Sequence, residues 1–310
     1  MVLAIVCPGQ GSQTQGFLAP WLELSDASEA LGRLSEAGGI DLERHGTVSD
    51  EETIKDTAVA QPLIVGAGLL TASALLGTEA VEARWALTGH SVGELTALAL
   101  AGTLTPQAAM SLVAVRAQGM AQASAIAPTG MSAVLGGDPD DVLAVLARHG
   151  LTPANRNGSG QVVAAGTLAA LDALRADPPA RARVIPLKVA GAFHTAHMAP
   201  AVAALAAAAR QVDAKDPVGP VVSNADGAVV SSGAELLNRL VTQVSNPVRW
   251  DLCMETLASL GVTGLVELAP AGTLVGLAKR GLPGVECVAL KTPDDLDAAR
   301  RLVRDHGGAS

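Results

Sequence analysis

The chain has 310 residues, of which 49% are apolar, 16% are charged and only 2% are aromatic, and its formal net charge is −9. The apolar content is sufficient for a large buried core, and the length predicts about two compact units. The negative charge and the scarcity of aromatic rings argue against a surface that binds nucleic acids.

The cysteines also limit the classes of protein to which the chain can belong. Cys7, Cys253 and Cys287 are the three present, and none has the CxxC spacing of a zinc ribbon. We therefore expect neither a disulfide framework nor a metal site, and a reducing, cytoplasmic environment. Residues 57–78 carry no charge, but polar residues, a proline and glycines interrupt the run: Gln61, Pro62, Gly66, Gly68, Thr71 and Ser73. We predict a buried core helix there and no membrane association.

The first part of the chain contains two short apolar runs typical of buried strands. The first run is Val2–Cys7, and the second, Trp85–Thr88, leads through a glycine-containing turn into a helix that ends near Ala101. Further helices are predicted at 62–76 and 106–125.

Residues 129–190 have a different order of elements. Strands are predicted at Met131–Leu135, Ala154–Asn157, Gln161–Ala165 and Arg183–Val189, and helices at Asp138–His149 and Leu168–Ala176. This βαββαβ order is typical of a ferredoxin-like unit. We predict that 129–190 form a small subdomain inserted into a large domain made of 1–128 and 191–310.

After the insert, strands and helices alternate again. Strands are predicted at 218–222, 264–268 and 286–290, and helices at about 195–210, 233–244, 250–260, 272–280 and 293–305. This alternation predicts an α/β domain with a mainly parallel sheet that helices cover on both faces.

A G-x-S-x-G motif, Gly89 to Gly93, lies between a predicted strand and a predicted helix. In that context a sharp turn presents the serine hydroxyl at the end of the sheet, and the start of the helix directs N–H groups toward developing negative charge. The alternative is a glycine-rich helix start that Ser91 merely caps. Because motif and context agree, we favour a nucleophile in an α/β-hydrolase-like domain.

A serine nucleophile needs a base, and six histidines are available. His194 and His197 lie where the chain returns from the insert to the large domain, a position typical of a cleft. His90 adjoins the serine but is predicted to point elsewhere, and the other three are predicted at the surface. The residues alone favour His194 over His197 as the base only modestly.

Two other features have open interpretations. The loop Gly9-Gln10-Gly11 lacks the third glycine of a dinucleotide fingerprint, so we expect it to supply a backbone N–H opposite Ser91 instead. Arg116 is the only charge between Glu94 and Asp138. A lone arginine in an apolar helix either extends to the surface or binds an anion, and the sequence favours neither.

Together with Asn246-Pro247-Val248-Arg249-Trp250, these motifs resemble the malonyl-CoA:acyl carrier protein transacylases of bacterial fatty-acid and polyketide synthesis. The resemblance covers essentially the whole chain, and Pro8-Gly9-Gln10-Gly11-Ser12-Gln13 with Gly89-His90-Ser91-Val92-Gly93-Glu94 is highly specific. It implies the following roles: Ser91 as acylated nucleophile, His194 as base, Gln10 and Val92 as oxyanion-hole N–H donors, Arg116 as partner of the malonyl carboxylate, and the Arg249 carbonyl as the group that orients the histidine.

The resemblance also concerns the acyl-binding cleft. It implies that Asn157 lies near the acyl group and that the ring of Phe193 favours malonyl over methylmalonyl, because an α-methyl group would meet it. The sequence departs from the family at Arg156, where an apolar or aromatic residue is usual, and at Gly191, where a histidine is commoner.

The implied reaction is a ping-pong transfer from malonyl-CoA, through a malonyl-Ser91 ester, to the phosphopantetheine thiol of holo acyl carrier protein, without a metal or other cofactor. Candidates for carrier docking are Lys188 with Arg181 and Arg183, and Lys279-Arg280. The alternative is a serine hydrolase, an esterase or thioesterase, that uses the same serine and histidine. Simple hydrolysis needs no carboxylate partner, so Arg116 argues against it.

Overall fold

Two β-sheets organise the chain in the computed structural model, which describes residues 1–77, 81 and 84–308. The larger sheet has the strand order β10-β9-β1-β2-β7-β8, and every pairing is parallel except that of the edge strand β8. Its strands are β1 Val2–Cys7, β2 Ala86–Gly89, β7 Val221–Val222, β8 Val229–Val230, β9 Val262–Glu267 and β10 Glu286–Ala289. The predicted, mainly parallel α/β sheet is confirmed.

Helices pack on both faces of this sheet. Along β1, Leu3 and Ile5 face one apolar cluster, while Ala4 and Val6 face a second, because successive side chains of a strand point to opposite faces. The helices of the chain are α1 Ala27–Gly38, α2 Leu42–Thr47, α3 Glu51–Lys55, α4 Thr57–Leu76, α5 Gly93–Leu100, α6 Pro106–Ser124, α7 Pro139–Arg148, α8 Leu168–Ala176, α9 Ala199–Ala209, α10 Gly233–Gln243, α11 Trp250–Ser259, α12 Thr273–Gly281 and α13 Leu296–His306, with short 3-10 turns at Ala19–Glu23, Ala196–Met198 and Pro293–Asp295.

The smaller sheet is antiparallel, with the order β4-β5-β3-β6. Its strands are β3 Thr129–Gly136, β4 Thr152–Gly158, β5 Gln161–Thr167 and β6 Ala182–Pro186. With α7 and α8 the element order is βαββαβ, so the ferredoxin-like topology is confirmed. One face packs on these two helices, and the other contributes Met131 and Val163 to the main core.

The two sheets are joined near the predicted cleft. Val248, just before α11, donates its N–H to the Ala154 carbonyl at 2.8 Å and accepts the Arg156 N–H at 2.9 Å. This short parallel pairing extends β4 toward the large sheet and fixes the small sheet beside it.

Helix α4 is long and apolar enough to cross a membrane by length and composition alone, yet 78% of its most apolar window is buried inside the fold. It packs mainly against α6 and α5. The predicted core helix is therefore confirmed. It begins earlier than predicted because the Asp56 side chain accepts the Ala58 N–H and caps it.

The turn between β2 and α5 depends on two glycines. A Cβ atom on Gly93 would lie 2.2 Å from the Cys7 carbonyl oxygen, and one on Gly89 would lie 2.0 Å from the Gly93 carbonyl carbon. Helix α5 can therefore start directly against the ends of β1 and β2 only when no side chain intervenes.

We predict that Gly93→Ala lowers the free energy of unfolding by about 2–3 kcal/mol, because the Cβ would meet backbone atoms that cannot rotate away. Gly32 in α1 is a matched control, since a Cβ there would meet no atom within 4 Å. Gly32→Ala is expected to be neutral or to stabilise by up to about 1 kcal/mol. Urea unfolding of the two variants checks this, and equal losses would contradict the close approach at Gly93.

Candidate active site

Ser91 occupies the turn that follows β2. Its φ of 54° lies in the left-handed region, which is uncommon for a residue with a side chain, and its backbone N–H donates to the Asn224 Oδ1 at 2.7 Å. Strained backbone of this kind clusters at functional sites. The strand–turn–helix context predicted for the motif is present, and it places the serine at the carboxyl end of the central strands.

His194 is the histidine that reaches this serine. Its Nε2 lies 2.7 Å from the Ser91 Oγ, and its own φ is 60°. His197 is exposed in the 3-10 turn Ala196–Met198, and its side chain forms no hydrogen bond in the described part of the chain. The geometry therefore decides between the two histidines in favour of His194.

The carbonyl that orients His194 is not the one predicted. The His194 Nδ1 donates to the Gln243 carbonyl at 2.8 Å. The expectation for Arg249 is wrong, because its carbonyl accepts the Cys253 N–H in the first turn of α11. Gln243 is the last residue of α10, where carbonyls have no partner within the helix and remain available.

The charge state of His194 follows from its surroundings. Burial, reinforced by the nearby positive charge of Arg116, lowers the pKa of His194 to about 3. The ring is therefore neutral at neutral pH. Because Nδ1 donates to a carbonyl, Nε2 carries the lone pair and can accept a hydrogen bond from the Ser91 hydroxyl.

Arg116, from the middle of α6, is fully buried and does not extend to the surface. Its Nη1 donates to the Gln61 Oε1 at 2.6 Å, and its Nη2 contacts the Gln243 Oε1 at 2.9 Å and the Ser91 Oγ at 3.3 Å. The remaining donor, Nε, is buried without a protein partner among the described residues. A guanidinium with a spare donor beside a nucleophile is suited to bind an anion on the reacting molecule.

Four polar residues of this site were not identified from the sequence: Gln61, Glu94, Asn224 and Gln243. Glu94 is buried, and burial raises its pKa to about 7. A usable signal existed for Glu94, since it is the last charge before a long uncharged stretch. The other three are neutral amides, which have no distinctive pattern in the sequence.

The predicted oxyanion-hole residues are both close to the serine, because Gln10 lines the same chamber as Ser91 and Val92 follows it in the chain. The backbone N–H groups of Gln10 and Val92 donate to no other group within the described residues. Gln10 is held by its side chain, whose Nε2 donates to the Thr57 Oγ1 at 3.3 Å and whose Oε1 accepts from Gln61 at 3.3 Å.

The serine and histidine face a small inner chamber of about 70 Å³, which continues into an outer cavity of about 460 Å³. Phe193 lines the chamber, and Asn157 lines the outer cavity. The Asn157 Oδ1 lies 3.0 Å from the His90 Nε2, so His90 points away from the serine as predicted.

The two departures from the family pattern have local explanations. The Arg156 Nε lies 3.4 Å from the Asp251 Oδ2, and Arg156 lines neither the chamber nor the outer cavity. Gly191 packs against Ser124, where a Cβ would lie 2.3 Å from the serine Oγ. A histidine at 191 has no room in this chain.

Comparisons with known proteins show the family of the chain. Residues 4–293 match the acyl transferase domain family. A malonyl CoA-acyl carrier protein transacylase of Mycobacterium tuberculosis is 51% identical over 307 residues, which cover 97% of this chain and 100% of the relative. A crystal structure of MCAT from the same species, 50% identical, superposes with a TM-score of 0.92 over 97% of this chain and 100% of that one.

The chain belongs to the malonyl-CoA:acyl carrier protein transacylase family. It is an acyltransferase, and the family and fold expected from the sequence are confirmed. A further solved member, 30% identical, with a TM-score of 0.89 over 97% of this chain and 99% of that one, is a malonyl-transacylase in complex with the acyl-carrier protein of a type II polyketide synthase. Among the described residues of this family member, no group of three or more acidic, histidine or cysteine side chains has the geometry of a metal site.

The tautomer and charge of His194 can be tested directly. We expect ¹⁵N NMR to show a neutral ring protonated on Nδ1 from about pH 8 down to about pH 5, because burial and Arg116 both oppose a second proton. His194→Gln identifies the signal. A ring that takes up a proton with a midpoint near 6.5, its usual value, would contradict this environment.

Proposed function

We propose that the chain transfers malonyl from malonyl-CoA to the phosphopantetheine thiol of holo acyl carrier protein by a ping-pong mechanism. The observation that carries this proposal is the fully buried Arg116, whose Nη2 lies 3.3 Å from the Ser91 Oγ. A cation placed there selects acyl groups that carry a negative charge of their own.

In the first half-reaction, the Ser91 Oγ attacks the thioester carbonyl while its proton moves to the His194 Nε2, 2.7 Å away. The N–H groups of Gln10 and Val92 donate to the oxyanion that forms. The C–S bond then breaks, His194 returns the proton to the leaving thiolate, and free CoA and the malonyl-Ser91 ester result.

The second half-reaction runs the same steps with another thiol. The carrier's phosphopantetheine thiol gives its proton to His194 and attacks the ester carbonyl. The ester C–O bond breaks, and the Ser91 oxygen takes the proton back. The Gln243 carbonyl, 2.8 Å from the His194 Nδ1, holds the ring and stabilises the imidazolium that forms in each half-reaction. A Ser–His dyad is sufficient for this sequence of proton transfers.

The malonyl carboxylate is held by Arg116. The unpaired Nε and the Nη2 on the same edge of the guanidinium can bind both carboxylate oxygens, which fixes the orientation as well as the affinity of the acyl group. The chamber of about 70 Å³ suits a short acyl group. Phe193 on its wall restricts an α-methyl substituent, and Asn157 supports the outer wall through His90.

The outer cavity is the route for the pantetheine arm of either substrate. Of the candidates for carrier docking, Lys188 and Arg280 line this cavity, whereas Arg181, Arg183 and Lys279 are not among its described lining residues. Lys188 and Arg280 are therefore placed to meet phosphate groups or an acidic carrier at the entrance. The reaction needs no bound cofactor, and both substrates are those of a cytoplasmic pathway.

Ser91→Ala should abolish covalent malonylation, because no other hydroxyl lies within reach of His194 among the described residues. Intact mass spectrometry after mixing with malonyl-CoA tests this. A malonyl adduct on the variant would show that another residue is the nucleophile. With the unchanged protein, release of free malonate faster than transfer to holo carrier would favour a serine hydrolase.

Arg116→Ala should lower kcat/KM for malonyl-CoA by the equivalent of about 3–5 kcal/mol, because the carboxylate would be buried without its partner. Acetyl-CoA has no carboxylate, so its kcat/KM should change far less and the substrate preference should reverse. Steady-state kinetics with both substrates on both proteins test this. Parallel losses for the two substrates would mean that Arg116 supports the fold and does not bind the acyl group.

A further inference from the structure

A buried carboxylate lies beneath the serine and histidine, and the reaction steps above do not use it. Glu94, the second residue of α5, is 7% exposed. Its Oε1 accepts the backbone N–H of Asn224 and its Oε2 accepts the Nε2 of Gln243, both at 2.6 Å. Each carboxylate oxygen therefore has a close hydrogen-bond donor.

Gln243 connects this carboxylate to the base and to the arginine. Its side-chain Oε1 accepts from the Arg116 Nη2 at 2.9 Å, and its backbone carbonyl accepts from the His194 Nδ1 at 2.8 Å. Gln243 is the last residue of α10, and its side chain keeps a fixed orientation only if its NH₂ group has an acceptor. This group donates to the Glu94 Oε2 at 2.6 Å, to the Ser91 carbonyl at 3.2 Å and to the Asn224 Oδ1 at 3.3 Å, so Glu94 is its nearest acceptor.

Asn224 connects the other oxygen of Glu94 to the nucleophile. The Asn224 Oδ1 accepts the Ser91 N–H at 2.7 Å, and its Nδ2 donates to the Gly89 carbonyl at 2.8 Å. These two bonds hold both sides of the turn whose φ at Ser91 is 54°. The Glu94 carboxylate therefore contacts two supporting residues. Gln243 contacts Arg116 and His194, and Asn224 contacts Ser91.

Charge gives a second reason for a carboxylate at this position. Arg116 is fully buried, and a buried cation without an opposite charge costs several kcal/mol. When ionised, Glu94 supplies a negative charge that offsets this burial, and the Gln243 amide lies between the two groups.

We propose that Glu94 is a positioning residue of the transfer reaction: through Gln243 it orients Arg116 and His194, and through Asn224 it holds the Ser91 turn. This proposal rests on the proposed function, since it assigns Arg116 to the malonyl carboxylate.

Glu94→Gln keeps the shape but turns an NH₂ group toward one of the two N–H donors. We expect kcat for Ser91 malonylation to fall at least about 10-fold and KM for malonyl-CoA to rise more than KM for acetyl-CoA, since misplaced groups react slowly.

Glu267→Gln is the matched control. Glu267 is also fully buried and accepts three backbone N–H groups, those of Gly272, Leu274 and Val275, at the start of α12. The control should lose stability but keep its malonylation kcat.

The double variant Glu94→Gln/Gln243→Glu exchanges donor and acceptor across the contact and places a carboxylate directly against Arg116. It should malonylate Ser91 faster than either single variant, whereas Gln243→Glu alone, with two facing carboxylates, should be the slowest. Additive losses in the double variant would overturn the proposal, because a role in packing alone gives no rescue.

Gln243→Met keeps the backbone carbonyl and the side-chain length but removes the amide, and it tests the proposal even if Glu94→Gln does not fold. It should raise KM for malonyl-CoA more than for acetyl-CoA. Unchanged KM values would overturn the proposal.

Malonylation of the unchanged protein tests the proposed function separately. If no adduct forms on Ser91, both proposals fail. If the adduct forms and Glu94→Gln behaves like the Glu267→Gln control, only the role of Glu94 fails.

Discussion

A guanidinium buried beside the Ser91 hydroxyl is the constraint on which the rest of this site depends. Arg116 has no contact with solvent, so every charge and hydrogen bond that keeps it there must come from the protein or from the substrate. Gln61 accepts one bond from Nη1 and Gln243 accepts one from Nη2, Glu94 offsets the charge when ionised, and Nε has no partner among the described residues. The same cation adds to the effect of burial in lowering the pKa of His194, which keeps its ring neutral.

The fold meets this constraint by bringing four separate parts of the chain to the ends of two adjacent strands. The Gln10 loop follows β1, the serine turn follows β2, the histidine lies between β6 and α9, and Gln243 ends α10. Two residues with side chains, Ser91 and His194, have a positive φ where they meet. Conformations of this kind persist because hydrogen bonds on both sides determine them, as those of Asn224 do for the serine.

The sequence predicted the parts of the structure that depend on local patterns. β1 was predicted with its observed bounds, since a continuous apolar run in a parallel sheet is buried on both faces. The two-residue strands β7 and β8 are too short for a periodic signal, so the strand expected at 218–222 is confined to its last two residues and the antiparallel edge was missed. Helices α1–α3 were also missed. α2 and α3 have only six and five residues, and all three helices lie in a charged, polar part of the chain.

At the site, Ser91 was predicted from its motif, whereas the residues alone favoured His194 only modestly and left Arg116 open, and the family resemblance supplied both roles. The carbonyl that accepts the His194 Nδ1 proton could not be predicted, because every residue has a backbone carbonyl. Only the position of a helix end determines which carbonyl is free to accept a hydrogen bond. The supporting amides were missed for a similar reason: a buried asparagine or glutamine has the same sequence appearance as an exposed one. The domain division at 129 and 190 remains a prediction, although the two sheets separate near those positions.

The central claim is that the acyl group is recognised through its own carboxylate by Arg116. A crystal structure of the protein trapped as the malonyl-Ser91 ester, obtained with malonyl-CoA and without carrier, tests this claim most directly. The account predicts the carboxylate within hydrogen-bond distance of the Arg116 Nε and Nη2, and the ester carbonyl oxygen directed at the N–H groups of Gln10 and Val92. A malonyl carboxylate that points instead into the outer cavity, with the Arg116 Nε still without a partner, would contradict it.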